Sequence, residues 1–131
     1  MELKPLPTAA AEAEDEEELN PIWLTAVRAA EDKKAFDIKV LDVRGVTTFV
    51  DFFIICTSSN GRQSQAIIEE IEAQLKKEGE RPVSIEGKEN GEWVLADYGD
   101  FLVHVFLDKS RKYFDLERLY RHAKIVPIPA P

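Results

Sequence analysis

Trp93, Asp97, Asp100 and His104 fall within one stretch, residues 93–104, whose other members are mostly apolar. Groups of these types can do three kinds of work. An imidazole beside a nucleophile moves protons, carboxylates hold hard cations, and a large ring among polar groups anchors another macromolecule. Proton chemistry lacks a partner here, because Ser58, Ser59 and Cys56 belong to another strand end and no G-x-S-x-G surrounds them. A magnesium or calcium site would draw on Asp97, Asp100 and Asp108. Asp100 suits a tight turn and Asp108 a helix approach, which leaves Asp97 as the one acid in mid-strand. Zinc is disfavoured by a single Cys and by two His, His104 and His122, far apart in the chain. No cofactor or metal is expected, and recognition of a macromolecule is the chemistry that remains.

The element that must position these residues is a hairpin. Residues 91–106 read as two strands around Gly99-Asp100, with Tyr98 opposite Phe101. Side chains alternate with period two, so Val94, Ala96, Tyr98, Phe101, Val103 and Val105 share a core face. Trp93, Leu95, Asp97, Leu102, His104 and Phe106 share the other, an apolar face with two titratable groups that suits a covering partner.

The remaining elements follow from spacing and punctuation. Asn20-Pro21 opens a helix whose Ile22, Trp23, Ala26, Val27 and Ala30 recur at helical spacing to about Ala35. Phe36–Val43 alternates as a strand, and Phe52–Thr57 is apolar on both faces, as a central strand is. Ser64, Ile67, Ile68, Ile71 and Leu75 make the next helix, which stops at Gly79. A short strand over 83–86 precedes the hairpin, and a last helix follows it with Tyr113, Leu116, Leu119 and Tyr120 on one side. The order α-β-β-α-β-β-β-α predicts an α/β (α+β) fold with a mixed sheet.

The loop Ser58-Ser59-Asn60-Gly61 lies between a buried strand and a helix start, where backbone N–H groups can meet a phosphate. Its placement resembles that of the nucleotidyltransferase loop, which makes an enzyme of that kind the alternative reading. Such enzymes need paired acids on the neighbouring strand, and Val83-Ser84-Ile85-Glu86 does not supply them. A helix cap is the simpler role for the loop.

The net charge of −8 is concentrated in residues 1–19, where seven acids face Lys4. This segment predicts a disordered acidic tail, since it has too few large apolar groups to offset chain entropy. Residues 20–123 then form one domain and residues 124–131, with Pro127, Pro129 and Pro131, a loose Pro-rich tail. The domain is close to neutral, so overall charge gives no support to polyanion binding. Around the last helix, however, Lys109, Arg111, Lys112, Arg118, Arg121 and Lys124 outnumber Asp108, Asp115 and Glu117, enough for incidental RNA contact. Cys56 reads as a packed thiol in a reducing compartment, and the chain lacks the long apolar run of a membrane span. A cytoplasmic setting without membrane contact is expected.

Taken in order, several pieces resemble the ribosomal silencing factors, also called Iojap-like proteins. They are Leu41-Asp42-Val43, residues 51–59 (DFFIICTSS), Glu86-Gly87, residues 93–100 (WVLADYGD), residues 103–106 (VHVF) and residues 111–117 (RKYFDLE). The resemblance covers about residues 20–122 and leaves both tails unmatched. It implies a nucleotidyltransferase-like but non-catalytic fold and a homodimer. It also implies binding to large-subunit ribosomal protein fourteen, which obstructs joining of the small subunit and represses translation. Carried over by position, Trp93, Asp97, Tyr98, Asp100 and His104 would lie in or beside that contact, with Glu86 and Lys88.

Overall fold

The computed structural model describes residues 20–131, so the expected acidic tail of residues 1–19 lies outside the described residues. Helix α1 (Ile22–Asp32) turns Leu24, Ala26, Val27, Ala29 and Ala30 inward, the stripe that spacings of three and four dictate. Strands β1 (Phe36–Asp42) and β2 (Phe52–Ser58) pair antiparallel, and β2 is buried from Phe53 to Ser58. Helix α2 (Gly61–Lys77) then crosses over. Asn60 caps it by accepting the Gln63 N–H at 2.8 Å, and Ile67, Ile68, Ile71 and Leu75 form its buried stripe.

The chain returns through β3 (Ser84–Glu86), β4 (Trp93–Asp97) and β5 (Phe101–Leu107), an antiparallel meander whose last strand runs parallel to β2. Helices α3 (Asp108–Phe114) and α4 (Leu116–Leu119) and strand β6 (Lys124–Val126) complete the order. The mixed sheet expected from the sequence is six-stranded, ordered β3-β4-β5-β2-β1-β6.

Helices α1 and α2 cover one sheet face, packing Val27, Ile67, Ile71 and Leu75 against Ile54, Cys56, Val94, Val103 and Val105. The opposite face is covered only in part. There Leu41, Phe53, Ile55 and Phe106 form a second cluster under Leu116 and Tyr120, and α3 reaches the start of β4 through Phe114 on Trp93.

Two expectations need correction at the C-terminal end. The last helix is broken at Asp115, which sits in the left-handed region at φ 47°. The break takes Tyr113 and Leu119 out of the expected packing stripe, leaving them 81% and 67% exposed while Leu116 and Tyr120 still pack. The expected loose tail over 124–131 begins instead with β6, which pairs with Val40, Leu41 and Asp42. Pro127 has no N–H to extend the ladder, and three residues are too few to show a strand's period. Beyond the strand, Ile128 packs on the main core and Arg28 Nη2 donates to the Pro129 carbonyl at 2.6 Å. Among the described residues no helix is long and apolar enough to cross a membrane.

Candidate macromolecular interface

The hairpin adopts the register that its alternation predicts. Trp93 faces Phe106, Leu95 faces His104 and Asp97 faces Leu102, while the Tyr98 N–H donates to the Phe101 carbonyl at 3.0 Å. Asp97 fixes the turn, its Oδ1 accepting the Gly99 N–H at 2.8 Å, and Gly99 takes φ 87°, a conformation glycine adopts without strain. On the neighbouring edge Glu86 pairs with Leu95 and Ser84 with Asp97. Alternation therefore places Glu86, Leu95 and His104 in one row and Ser84, Asp97 and Leu102 in the next, all on the face away from α2.

Trp93, at the start of β4, is firmly held. Its ring stacks on Phe106 at 5.0 Å and meets Phe114 at 4.5 Å. Its Nε1–H donates to His104 Nδ1 at 3.1 Å. Accepting that bond makes the imidazole neutral, with its own proton on Nε2. Burial pushes the His104 pKa down to about 4, since a charged ring would lose its water. His104 is only 4% exposed, packed edge-on against Phe53, and its Nε2 has no partner among the described residues. It thus supports Trp93 from beneath.

The residues named by resemblance divide between two faces. Trp93 and Asp97 are partly buried, Glu86 and Asp100 are exposed, and His104 underlies them. Tyr98 and Lys88 do not join this group. Tyr98 follows the parity of Ala96 into the helix-side core, stacks on Phe101 at 5.3 Å, and is 7% exposed. Burial, reinforced by the Glu72 carboxylate, pushes its phenol up to about 12. Lys88 reaches the same helix, with Nζ at 3.4 Å from Glu69 and 3.7 Å from Glu72.

Arg111 is a residue whose role the sequence did not reveal. Grouped there with surface cations, it is 7% exposed, and its Nη1 donates to the Asp37 carbonyl at 2.6 Å and to Thr57 Oγ1 at 2.8 Å. Its Nε and Nη2 grip Glu117 at 3.0 and 3.2 Å, holding that carboxyl below the usual range. This clamp ties α3 to β2 and so fixes Phe114 against Trp93. Its partners lie across the chain, so no local motif announces it.

The Ser58–Gly61 loop is closed by its own contacts. The Ser59 N–H donates to Gln63 Oε1 at 2.6 Å, and Gln63 Nε2 donates to the Lys33 and Lys34 carbonyls at 3.0 and 3.1 Å. Gly61 lies so close to Gly91 that a Cβ on it would sit 2.5 Å from the Asn90 carbonyl oxygen. The helix start is thus capped and covered by the chain. The Cys56 thiol is fully buried and pushed up to about 12 by desolvation, which suits packing. Among the described residues no three His, Cys, Asp or Glu side chains come together as metal ligands.

Comparison with known proteins adds a lineage to this geometry. A family described as "Ribosomal silencing factor during starvation" matches residues 16–130. The ribosomal silencing factor RsfS of Bacillus subtilis (strain 168) is 39% identical over 103 residues, covering 79% of this chain and 87% of that protein. The chloroplastic protein Iojap of Zea mays is 34% identical over 123 residues, which covers 94% of this chain and 54% of that protein. A crystal structure of a Chromobacterium violaceum protein superposes with a TM-score of 0.75 at 36% identity, covering 84% of this chain and 91% of that one.

Proposed function

The chain belongs to the ribosomal silencing factor family, and on that premise we propose that it represses translation by occupying the joining face of the large ribosomal subunit. Membership carries a ribosome-associated role in silencing translation. The finer reading is that the Trp93 face binds large-subunit ribosomal protein fourteen and excludes the small subunit sterically, without chemistry. It includes a cytoplasmic setting and a homodimeric free form.

One observation carries the reading. The β3–β4–β5 face presents Leu95 and Leu102, with Trp93 at its end against Phe114, and carries the carboxylates of Glu86 and Asp97, with exposed Asp100 at the turn. A rigid, partly buried indole on the same sheet face as carboxylates suits the anchor of a contact with a basic protein. Tyr98 and Lys88, on the opposite face, support the sheet from the helix side and are not part of the proposed contact.

Leu95 gives the cleanest test, because it belongs to neither core cluster. Leu95→Lys places a cation where a basic partner would dock. Cosedimentation with purified large subunits should show retention of the wild type and loss of the variant at unchanged thermal stability. Equal retention of both would remove Trp93's face from the contact.

A further inference from the structure

The break at Asp115 makes a second surface beside the first. A non-glycine residue at φ 47° is a costly conformation, retained where its surroundings demand it. It separates α3 from α4 and opens between them a concavity of about 370 Å³ lined by Tyr113, Phe114, Asp115, Arg118, Leu119 and Arg121. Tyr113 stands 81% exposed at its rim.

The charge around this concavity is opposite to that of the chain. Although the protein carries a net −8, no acid occurs from Arg118 to Pro131, a segment holding Arg118, Arg121 and Lys124. Nearby cations are already engaged: Arg111 and Lys39 share Glu117, and Lys112 pairs with Asp108. Among the described residues no ion pair uses Arg118 or Arg121, whose Nη1 donates to the Arg118 carbonyl at 3.2 Å, while Lys124 lies opposite Asp42 and helps hold its carboxyl low. The surface is therefore both basic and aromatic, in contrast to the β3–β4–β5 face with Glu86 and Asp97. Phe114 joins the two, since it lines the concavity and touches Trp93.

We propose that this α3–α4 groove binds ribosomal RNA, with backbone phosphates on Arg118 and Arg121 and an unpaired base stacked on Tyr113. Guanidinium groups match phosphate oxygens in planar pairs, and an exposed phenol ring accepts any base by its π face. The inference rests on the proposed docking to the large subunit and deepens it. One continuous surface then meets a basic protein through acids and RNA through cations, and each half rejects the other's ligand by like charge.

The test uses the full chain, with purified large subunits and isolated large-subunit ribosomal protein fourteen as separate probes, over a salt series. Arg118→Ala/Arg121→Ala removes two phosphate contacts, so its log affinity for subunits should fall with log salt less steeply than the wild type's, by about 1.4. Tyr113→Ala should weaken subunit binding roughly tenfold. Both variants should bind the isolated protein as the wild type does. Unchanged subunit affinity and salt slope overturn the proposal, as does an equal loss on both probes, which would assign the groove to the protein contact. If the wild type binds subunits but not the isolated protein, and the double variant still loses its salt slope, the RNA inference stands and the protein-contact reading falls.

Discussion

Trp93 and His104, diagonal neighbours on one face of the β4–β5 hairpin, are joined by a 3.1 Å hydrogen bond from the indole N–H to Nδ1. The bond works only while the imidazole is neutral, because a proton on Nδ1 would turn acceptor into donor. A recognition surface is thereby coupled to a buried titratable group.

That coupling has a pH signature. His104 titrates near 6.5 when unfolded and at about 4 when folded, so between those values the unfolded chain binds the extra proton. Stability from this group is complete above pH 6.5 and falls as pH drops through the window, the loss reaching about 3 kcal/mol by pH 4. Urea unfolding of wild type and His104→Gln at pH 7 and pH 5 checks it. The wild type should lose more stability than the variant across that interval, and parallel losses would assign the acid sensitivity to other groups.

Trp93 also packs on Phe106 and Phe114, so it serves the fold as well as a partner. Trp93→Ala should cost about 3 kcal/mol, at the lower end for removal of a large aromatic ring from packing. Trp93→Phe keeps the stack and should cost far less. Denaturant midpoints of the two variants decide whether a binding defect in Trp93→Ala can be read as a contact effect.

The Arg111 clamp predicts a larger penalty than its place in a cationic segment suggests. Arg111→Ala leaves Thr57 and the Asp37 carbonyl without this donor and Glu117 with Lys39 alone, and should destabilise by about 3 kcal/mol. Arg111→Lys restores the charge but not the fork, so unfolding experiments should place it between the wild type and Arg111→Ala.

Two glycines separate backbone strain from collision. Gly79 has φ 83° with open space around it, so Gly79→Ala should cost about 1 kcal/mol. Gly91 has φ 72°, and a Cβ there would lie 2.6 Å from the Gly61 backbone. Gly91→Ala should therefore cost roughly 3 kcal/mol or more, because backbone cannot yield as a side chain does. Thermal melts of the pair provide the comparison, and equal shifts would mean that the loop over Gly61 is not held tightly.

The hairpin was legible because period-two alternation and a Gly-Asp turn fix both faces and register, and Tyr98's parity already placed it inward. Helices α1 and α2 were legible from their stripes. Arg111 was not, since its burial depends on Thr57 and Asp37, far away in sequence. The break at Asp115 was hidden because an αL residue other than glycine leaves no compositional mark. Lys88, named by resemblance alone, lies in the loop after Gly87, where no alternation predicts its direction.

The central claim is steric exclusion at the Trp93 face, and subunit joining followed by light scattering tests it most directly. Large subunits preincubated with the wild-type protein should join small subunits to a lower extent, in proportion to occupancy. Those preincubated with Leu95→Lys should join as though no protein were present. Full joining at saturating wild-type occupancy, or equal inhibition by the variant, would contradict the account.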